Sequence, residues 1–304
     1  MKFSRRNLIK SAATLPLVAV LPSISFASPM RSENLKGIKL SLNAYSFNEW
    51  LRSGKIDLLE LIDYCVEVGF DALDPTGYYF PEYPEAPTDS FLYEFKRKAY
   101  LNGVEISGSG VRNDFTNQDP SVRDEGVTLV KRWIDVCVKM GCPLLRVFAG
   151  KELEKSRSRK ITDGLLIGHL KEVSDYASKK GILLALQNHN EYIKTAEQAI
   201  TILNAVGSPW LGLHLDIGSF QEKEAYSEIE KAIPYAFTWQ IKEEVYENGK
   251  KVKTDLERIL QIINKHGYRG YLPLETLGQG DPAEKVKKLI EEMRLAMEKL
   301  RDRK

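Results

Sequence analysis

Leu211-Gly-Leu-His-Leu-Asp-Ile-Gly-Ser-Phe220 reads as a short buried strand that delivers a carboxylate, Asp216, at its end. The apolar run follows the Gly207-Ser-Pro-Trp punctuation and breaks at Gly218, the look of a strand covered on both faces. Three other runs close in the same way. Ile182-Leu-Leu-Ala-Leu-Gln-Asn-His189 ends on an amide and an imidazole, Ala236-Phe-Thr-Trp-Gln-Ile-Lys242 on an amide and an ammonium, and Tyr271-Leu-Pro-Leu-Glu275 on a carboxylate. Parallel strands side by side would gather these groups at one edge.

Working outward, helical patterns stop at a glycine and a β-rich run begins at once. This happens at Gly69, Gly103, Gly141, Gly181, Gly207 and Gly267, each suited to the left-handed residue that ends a helix. Helix starts are marked by Asp119-Pro120, by Thr195 with Gln198 three residues on, and by Asp281-Pro282 with Glu284. Strands are expected near 38–42, 72–73, 105–109, 144–148, 183–187, 211–215, 236–241 and 271–274, with helices between them. Eight alternating units are the closing number of an α/β (β/α)8 TIM barrel. An open doubly wound sheet would normally carry a glycine-rich phosphate loop, and the chain has no G-x-G-x-x-G.

Residues 1–27 are set apart from this pattern. Ser4-Arg-Arg-Asn-Leu-Ile-Lys10 is a basic start with twin arginines, Leu15 to Leu21 is apolar, and Ser25-Phe-Ala27 resembles a small-x-small cleavage site. The expectation is a twin-arginine signal that sends the protein to the periplasm or beyond, with one barrel domain over residues 28–304. The apolar run is too short for a lasting membrane anchor. Across the whole chain of 304 residues, 44 Lys and Arg against 42 Asp and Glu leave a net charge of +2, which suggests no nucleic-acid partner. Three cysteines, Cys65, Cys137 and Cys142, are an odd count, and Cys65 and Cys137 lie among apolar residues of expected helices, where buried free thiols are the simplest reading.

A barrel of this kind carries its site at the C-terminal ends of its strands, and those ends are polar here. Besides the groups above, the first strand runs into Asn43-Ala-Tyr45, the second into Asp74, the third into Ser107 and Ser109, and the fourth holds Arg146. The loop Thr76-Gly-Tyr-Tyr-Phe-Pro-Glu-Tyr-Pro-Glu-Ala-Pro87, with Phe47, Trp50 and Trp239, could form an aromatic wall for a sugar face or a small satellite core.

The motifs Ala185-Leu-Gln-Asn-His189, Gly212-Leu-His-Leu-Asp-Ile-Gly218, Gln240-Ile-Lys-Glu243 and Gly267-Tyr-Arg-Gly-Tyr-Leu-Pro-Leu-Glu275 resemble the sugar phosphate isomerase/epimerase family, the xylose-isomerase-like TIM barrels. The resemblance implies that a Glu, an Asp, a His and a Glu on four successive strands bind one divalent ion, commonly manganese. Carried over position by position, these are Gln187, Asp216, Gln240 and Glu275, so two stronger ligands have become neutral amides. An amide oxygen still suits a hard cation such as manganese, magnesium or calcium, of which the resemblance implies manganese first, and losing the imidazole argues against zinc. Family epimerases often carry a histidine three residues after the aspartate; this chain has Ser219.

The resemblance further implies proton transfer next to a carbonyl by the two metal-bound glutamates. Gln187 has no proton to exchange near neutral pH, which leaves one-base chemistry through Glu275. The expected site therefore has Glu275 as base, His189 as acid, Asn43, Tyr45, Arg146 and Lys242 on substrate oxygens, and one divalent ion held by Gln187, Asp216, Gln240 and Glu275. His214 is expected to be a satisfied core histidine and His266 to close a helix. The function read from this is isomerisation, epimerisation or lyase chemistry on a small-molecule carbohydrate, an unphosphorylated sugar or keto-sugar. A non-catalytic carbohydrate-binding protein on a degenerate barrel is the alternative. A DNA-repair endonuclease on the same barrel would need a histidine-rich metal cluster, and the chain has 4 His.

Overall fold

The computed structural model describes residues 35–151 and 156–302; the expected signal over residues 1–27 lies outside them. Strands β1 (Ile38–Asn43), β2 (Ala72–Asp74), β3 (Glu105–Ile106), β4 (Ser109–Gly110), β5 (Leu144–Val147), β6 (Leu183–Gln187), β7 (Leu211–Asp216) and β8 (Ala236–Lys242) are followed by a hairpin, β9 (Glu244–Glu247) and β10 (Lys250–Lys253), and by β11 (Gly270–Glu275). The long sheet runs in the order β3-β2-β1-β11-β8-β7-β6-β5-β4, with parallel pairs throughout. Its two edges, β3 and β4, are consecutive in the chain and only Ser107 and Gly108 separate them, so the sheet curls into a nearly closed barrel. The Thr76–Gly110 bridge and the bond from the Ser109 hydroxyl to Pro75 C=O span the seam between β2 and β4.

Around the barrel lie α1 (Asn48–Ser53), α2 (Leu58–Val68), α3 (Asp89–Leu101), α4 (Pro120–Met140), α5 (Arg159–Lys180), α6 (Ala196–Val206), α7 (Ala225–Ala232), α8 (Leu256–His266) and α9 (Pro282–Asp302). The six glycines expected to close helices all have φ between 66° and 82°, where a side chain would be strained. Asp57 and Glu60 form a reciprocal capping box at the start of α2, and Asp119 caps α4 ahead of Pro120. All three cysteines are free and buried. Among the described residues no helix is long and apolar enough to cross a membrane.

The expected strand over 105–109 is in fact two short pieces, because Gly108 sits where the chain passes from pairing with β2 to pairing with β5. The β9–β10 hairpin was not anticipated. Its signal was present: Asn248 and Gly249 take φ of 50° and 71°, the pair of positive values that a two-residue hairpin turn requires.

Period-2 alternation decides what faces the site. Leu184 and Leu186, Leu213 and Leu215, Trp239 and Ile241, and Leu272 and Leu274 are buried against the helices. Their neighbours Gln187, Asp216, Gln240 and Glu275 turn to the barrel axis. A register shift between Leu213 and His214 gives β8 one extra residue, so that Asp216 falls opposite Gln240. The Phe237 ring fills the space over Gly212, where a Cβ would come within 2.4 Å of it.

Candidate active site

Five side chains meet at the C-terminal mouth of β6, β7, β8 and β11. The Gln187 amide N–H groups donate to Asp216 Oδ2 (2.9 Å) and Gln240 Oε1 (3.0 Å). Gln240 Nε2 donates to Glu275 Oε2, while its Oε1 also meets His214 Nε2 at 2.8 Å. The Lys242 ammonium lies 2.9 Å from Asp216 Oδ2 and 3.4 Å from Glu275 Oε2, with both carboxylates buried. Asn188 locks β6 to β7 by donating to the Asp216 carbonyl and accepting the Asp216 N–H, both at 2.9 Å.

The two carboxylates differ in electrostatics. Burial alone would raise the Asp216 pKa, but the Lys242 charge, with hydrogen bonds from Lys242 and Ser219, outweighs it and holds the group below its ordinary value. Glu275 goes the other way: burial raises it, the nearby Asp216 charge raises it further, and Lys242 offsets only part. Such a divergence is how one carboxylate stays an anion while its neighbour becomes able to carry a proton. Lys242 is itself raised, because the two carboxylates overcome the cost of its burial, so it stays an ammonium.

Above this group lies a cavity of about 190 Å³ lined by Asn43, Tyr45, Tyr78, Arg146, His189 and Lys242, with Gln187, Gln240, Glu275, Arg112, Phe148 and Leu277 completing it. The volume suits one small polar molecule. A larger surface hollow of about 560 Å³ near Tyr226, Glu230 and Arg258 lies away from it, and its charges are already paired, Arg258 with Glu247 and Glu230 with Lys265.

Every residue named from sequence for catalysis or substrate lines the cavity, and the four expected metal ligands come together, with Asp216 just beneath. His189 stacks edge-on to Phe148 at 5.2 Å, and burial lowers its pKa despite the pull of Asp216 and Glu191, so the imidazole is neutral. Arg146 lies over the Phe148 ring at 4.3 Å and donates to Val111 C=O and Tyr78 Oη. Gly110 makes room for it, since a Cβ there would meet the guanidinium at 2.4 Å.

Two expectations need correction, and one residue was missed. Phe47 and Trp239 are fully buried, packing against Tyr64 and Tyr268, and Trp50 packs on Phe47, so none of them forms the wall. Alternation turns Trp239 outward because its neighbour Gln240 faces in. The aromatic lining is Tyr45, Tyr78 and Phe148, while Phe80 and Tyr83 from the same loop pack on Trp133 as a satellite core. His214 is not a satisfied core residue either: its Nε2 belongs to the site network through Gln240, and its buried Nδ1 has no partner. Arg112 was missed, as a basic loop residue with no periodic signal.

The expected ion is a poor fit to these donors. Asp216 accepts from Gln187, Ser219 and Lys242 on Oδ2 and from Gly218 N–H on Oδ1. Oδ2 is thereby fully occupied, and Oδ1 keeps at most one lone pair for an ion. Gln240 Oε1 already faces two groups, and its N–H points at Glu275. Among the described residues no three His, Cys, Asp or Glu are grouped to hold a metal.

A comparison with protein families matches residues 62–296 to the one described as Xylose isomerase-like TIM barrel. The chain belongs to that family. A ketose 3-epimerase from Arthrobacter globiformis is 24% identical over 242 residues, covering 74% of this chain and 79% of the relative. D-psicose 3-epimerase from Clostridium cellulolyticum H10, solved with D-tagatose, superposes with a TM-score of 0.71 at 17% identity, over 85% of this chain and 99% of that one. The IOLI protein, solved with a bound zinc atom, gives 0.69 at 20% identity, over 85% and 97%. At these identities the superpositions establish the shared barrel.

Proposed function

We propose that this chain is a sugar isomerase or epimerase, or a lyase sharing the same first step, which removes a proton next to the carbonyl of an unphosphorylated keto-sugar. The observation that carries the reading is Glu275. Its carboxyl is pushed up by burial, lines the cavity, and receives both Gln240 and Lys242 on Oε2. Oε1 is then the oxygen that takes the proton.

As the C–H bond breaks, its electron pair forms the enediolate C=C and the carbonyl oxygen becomes anionic. Lys242 has three N–H bonds, two directed at carboxylates, and the third stabilises that oxygen. Returning the proton from Glu275 to the adjacent carbon gives isomerisation. Delivery to the opposite face through His189 as a relay, one ring nitrogen giving its proton to carbon while the other takes one from water, gives epimerisation, and expulsion of a β-substituent gives lyase chemistry. Tyr45, Tyr78, Asn43 and the two arginines hold hydroxyls and exclude water. The ketose 3-epimerase relative supports a keto-sugar. A twin-arginine leader would place the enzyme in the periplasm, where phosphorylated sugars are scarce.

The test is to incubate the protein with a panel of ketohexoses in D2O and follow deuterium at carbon by NMR. Uptake at a carbon next to the carbonyl, lost in Glu275→Gln, is the expected result. No uptake with any ketohexose, together with measurable sugar binding, would replace this reading by that of a carbohydrate-binding protein.

A further inference from the structure

The disagreement between the donors and a divalent ion has a structural cause. Replacing an acidic ligand by Gln187 removes one negative charge and turns an acceptor into a donor, whose N–H now fills a lone pair of Asp216. Gln240, where the resemblance implies a histidine, likewise turns an N–H to a lone pair of Glu275. Two carboxylates remain, and one cation, the Lys242 ammonium, sits between them at 2.9 and 3.4 Å. Its stem passes over Gly218, where a Cβ would lie 2.6 Å from Lys242 Cδ, so that glycine keeps its path open. The side chain is 15% exposed, enough to reach the cavity while anchored below.

We infer that Lys242 replaces the divalent ion in this chain: its ammonium occupies the position between Asp216 and Glu275, and the chemistry runs without a metal. Three features agree on this independently of any bound group, namely the saturated Oδ2 of Asp216, the two amides turned N–H first toward the carboxylates, and the cleared path over Gly218. A protonated amine in this position is an electrophile and hydrogen-bond donor, and its two carboxylate partners keep it from acting as a Schiff-base nucleophile. Its catalytic half rests on the keto-sugar reading above; its place in the site does not.

The experiment strips wild-type protein with EDTA and titrates it with Mn²⁺ by calorimetry and thermal melting, beside the variant Gln187→Glu/Gln240→His/Lys242→Met. Wild type is expected to give no saturable heat and no shift in melting midpoint, whereas the variant gains a saturable site and a midpoint that rises with Mn²⁺. Stoichiometric Mn²⁺ uptake by wild type overturns the inference, whether or not the variant folds. Deuterium exchange separates the two proposals. Exchange that survives EDTA supports both. Exchange abolished by EDTA and restored by Mn²⁺ keeps the keto-sugar enzyme and overturns the role of Lys242. Absence of exchange from a wild type that also takes up no Mn²⁺ sinks the sugar chemistry and leaves Lys242 in the ion's place.

Discussion

The two halves of the barrel mouth are built on different principles. The half from β6, β7, β8 and β11 is a closed polar circuit in which Gln187, Asp216, Gln240, Lys242 and Glu275 mainly satisfy one another. The opposite half, from β1, β5 and the loops after β2 and β4, presents Asn43, Tyr45, Tyr78, Arg112, Arg146 and Phe148 to the cavity. Those side chains are held by packing, by edge contacts such as Tyr45 against Tyr78 at 6.4 Å, and by separate polar contacts, Arg146 to Tyr78 and Val111 and Arg112 to Glu191, rather than by one circuit. One half fixes charge and protonation; the other offers donors and a surface. The contrast teaches that reaction and recognition are separable here, and it can be broken by mutation.

Glu275→Gln should have the largest effect. It removes the carboxylate of the circuit that both lines the cavity and has its pKa raised, and exchange at carbon should fall by on the order of 10²–10⁴-fold. Ligand affinity, measured by calorimetry with the sugar that binds wild type, should change little. A variant that still exchanges near the wild-type rate would show that the base belongs to the other half. Lys242→Met comes next: losing the cation aimed at the forming oxyanion should cost about 10²–10³-fold in kcat. Because it also strips the counter-charge from two buried carboxylates, a stability loss of roughly 3–5 kcal/mol is expected in denaturant melts. Lys242→Arg should recover the stability more than the rate, since the wider fork does not fit the same gap.

How much of this was legible in sequence also divides along the two halves. Asp216, Gln187, Gln240 and Glu275 were readable because each ends a short apolar run, and period-2 alternation then sends all four to one side. Glycine stops and aspartate caps gave the helix boundaries for the same local reason. The pairing of Lys242 with both carboxylates was not legible, because it depends on the extra residue in β8 and on the direction of two amides. The aromatic lining was legible only in part, since Tyr45 was named but Tyr78 entered only as one ring of a loop left open between wall and satellite core. Phe47, Trp50 and Trp239 are as aromatic as Tyr45 and Tyr78, and only the local turn of the backbone decides which ring faces the cavity. Arg112 carries no periodic signal at all, sitting in a loop whose course is set by tertiary contacts.

Asp74, at the end of β2, belongs to the recognition half but feels the charges of both Arg146 and Glu275, and gives a pH-dependent test. Burial outweighs the Arg146 charge and raises its pKa from 3.8 to about 6. A raised carboxyl favours folding fully below its unfolded pKa, and that contribution is lost as pH rises through about 6. Asp74→Asn should therefore match wild type near pH 4 and exceed it at pH 7, by up to roughly 3 kcal/mol, the free-energy equivalent of the gap between the folded and unfolded pKa values. Urea melts at the two pH values check this. Equal stability at both would mean that Arg146 already balances the buried charge.

The smallest effect is expected at Tyr78, and it is the sharpest test of the separation. Its hydroxyl receives Arg146 Nη2 at 3.2 Å, and its ring meets Tyr45, Tyr79 and Tyr83 edge-on. Tyr78→Phe keeps the ring and its packing and removes one hydrogen-bond partner from a buried guanidinium, at a cost of about 1 kcal/mol. If the aromatic half only recognises substrate, that loss should appear as a several-fold rise in KM with kcat unchanged, because the contact is made equally in ground and transition states. A fall in kcat at constant KM would instead mean that Arg146 acts on the reacting oxygen. The division between the halves would then have to be redrawn with Arg146 beside Lys242.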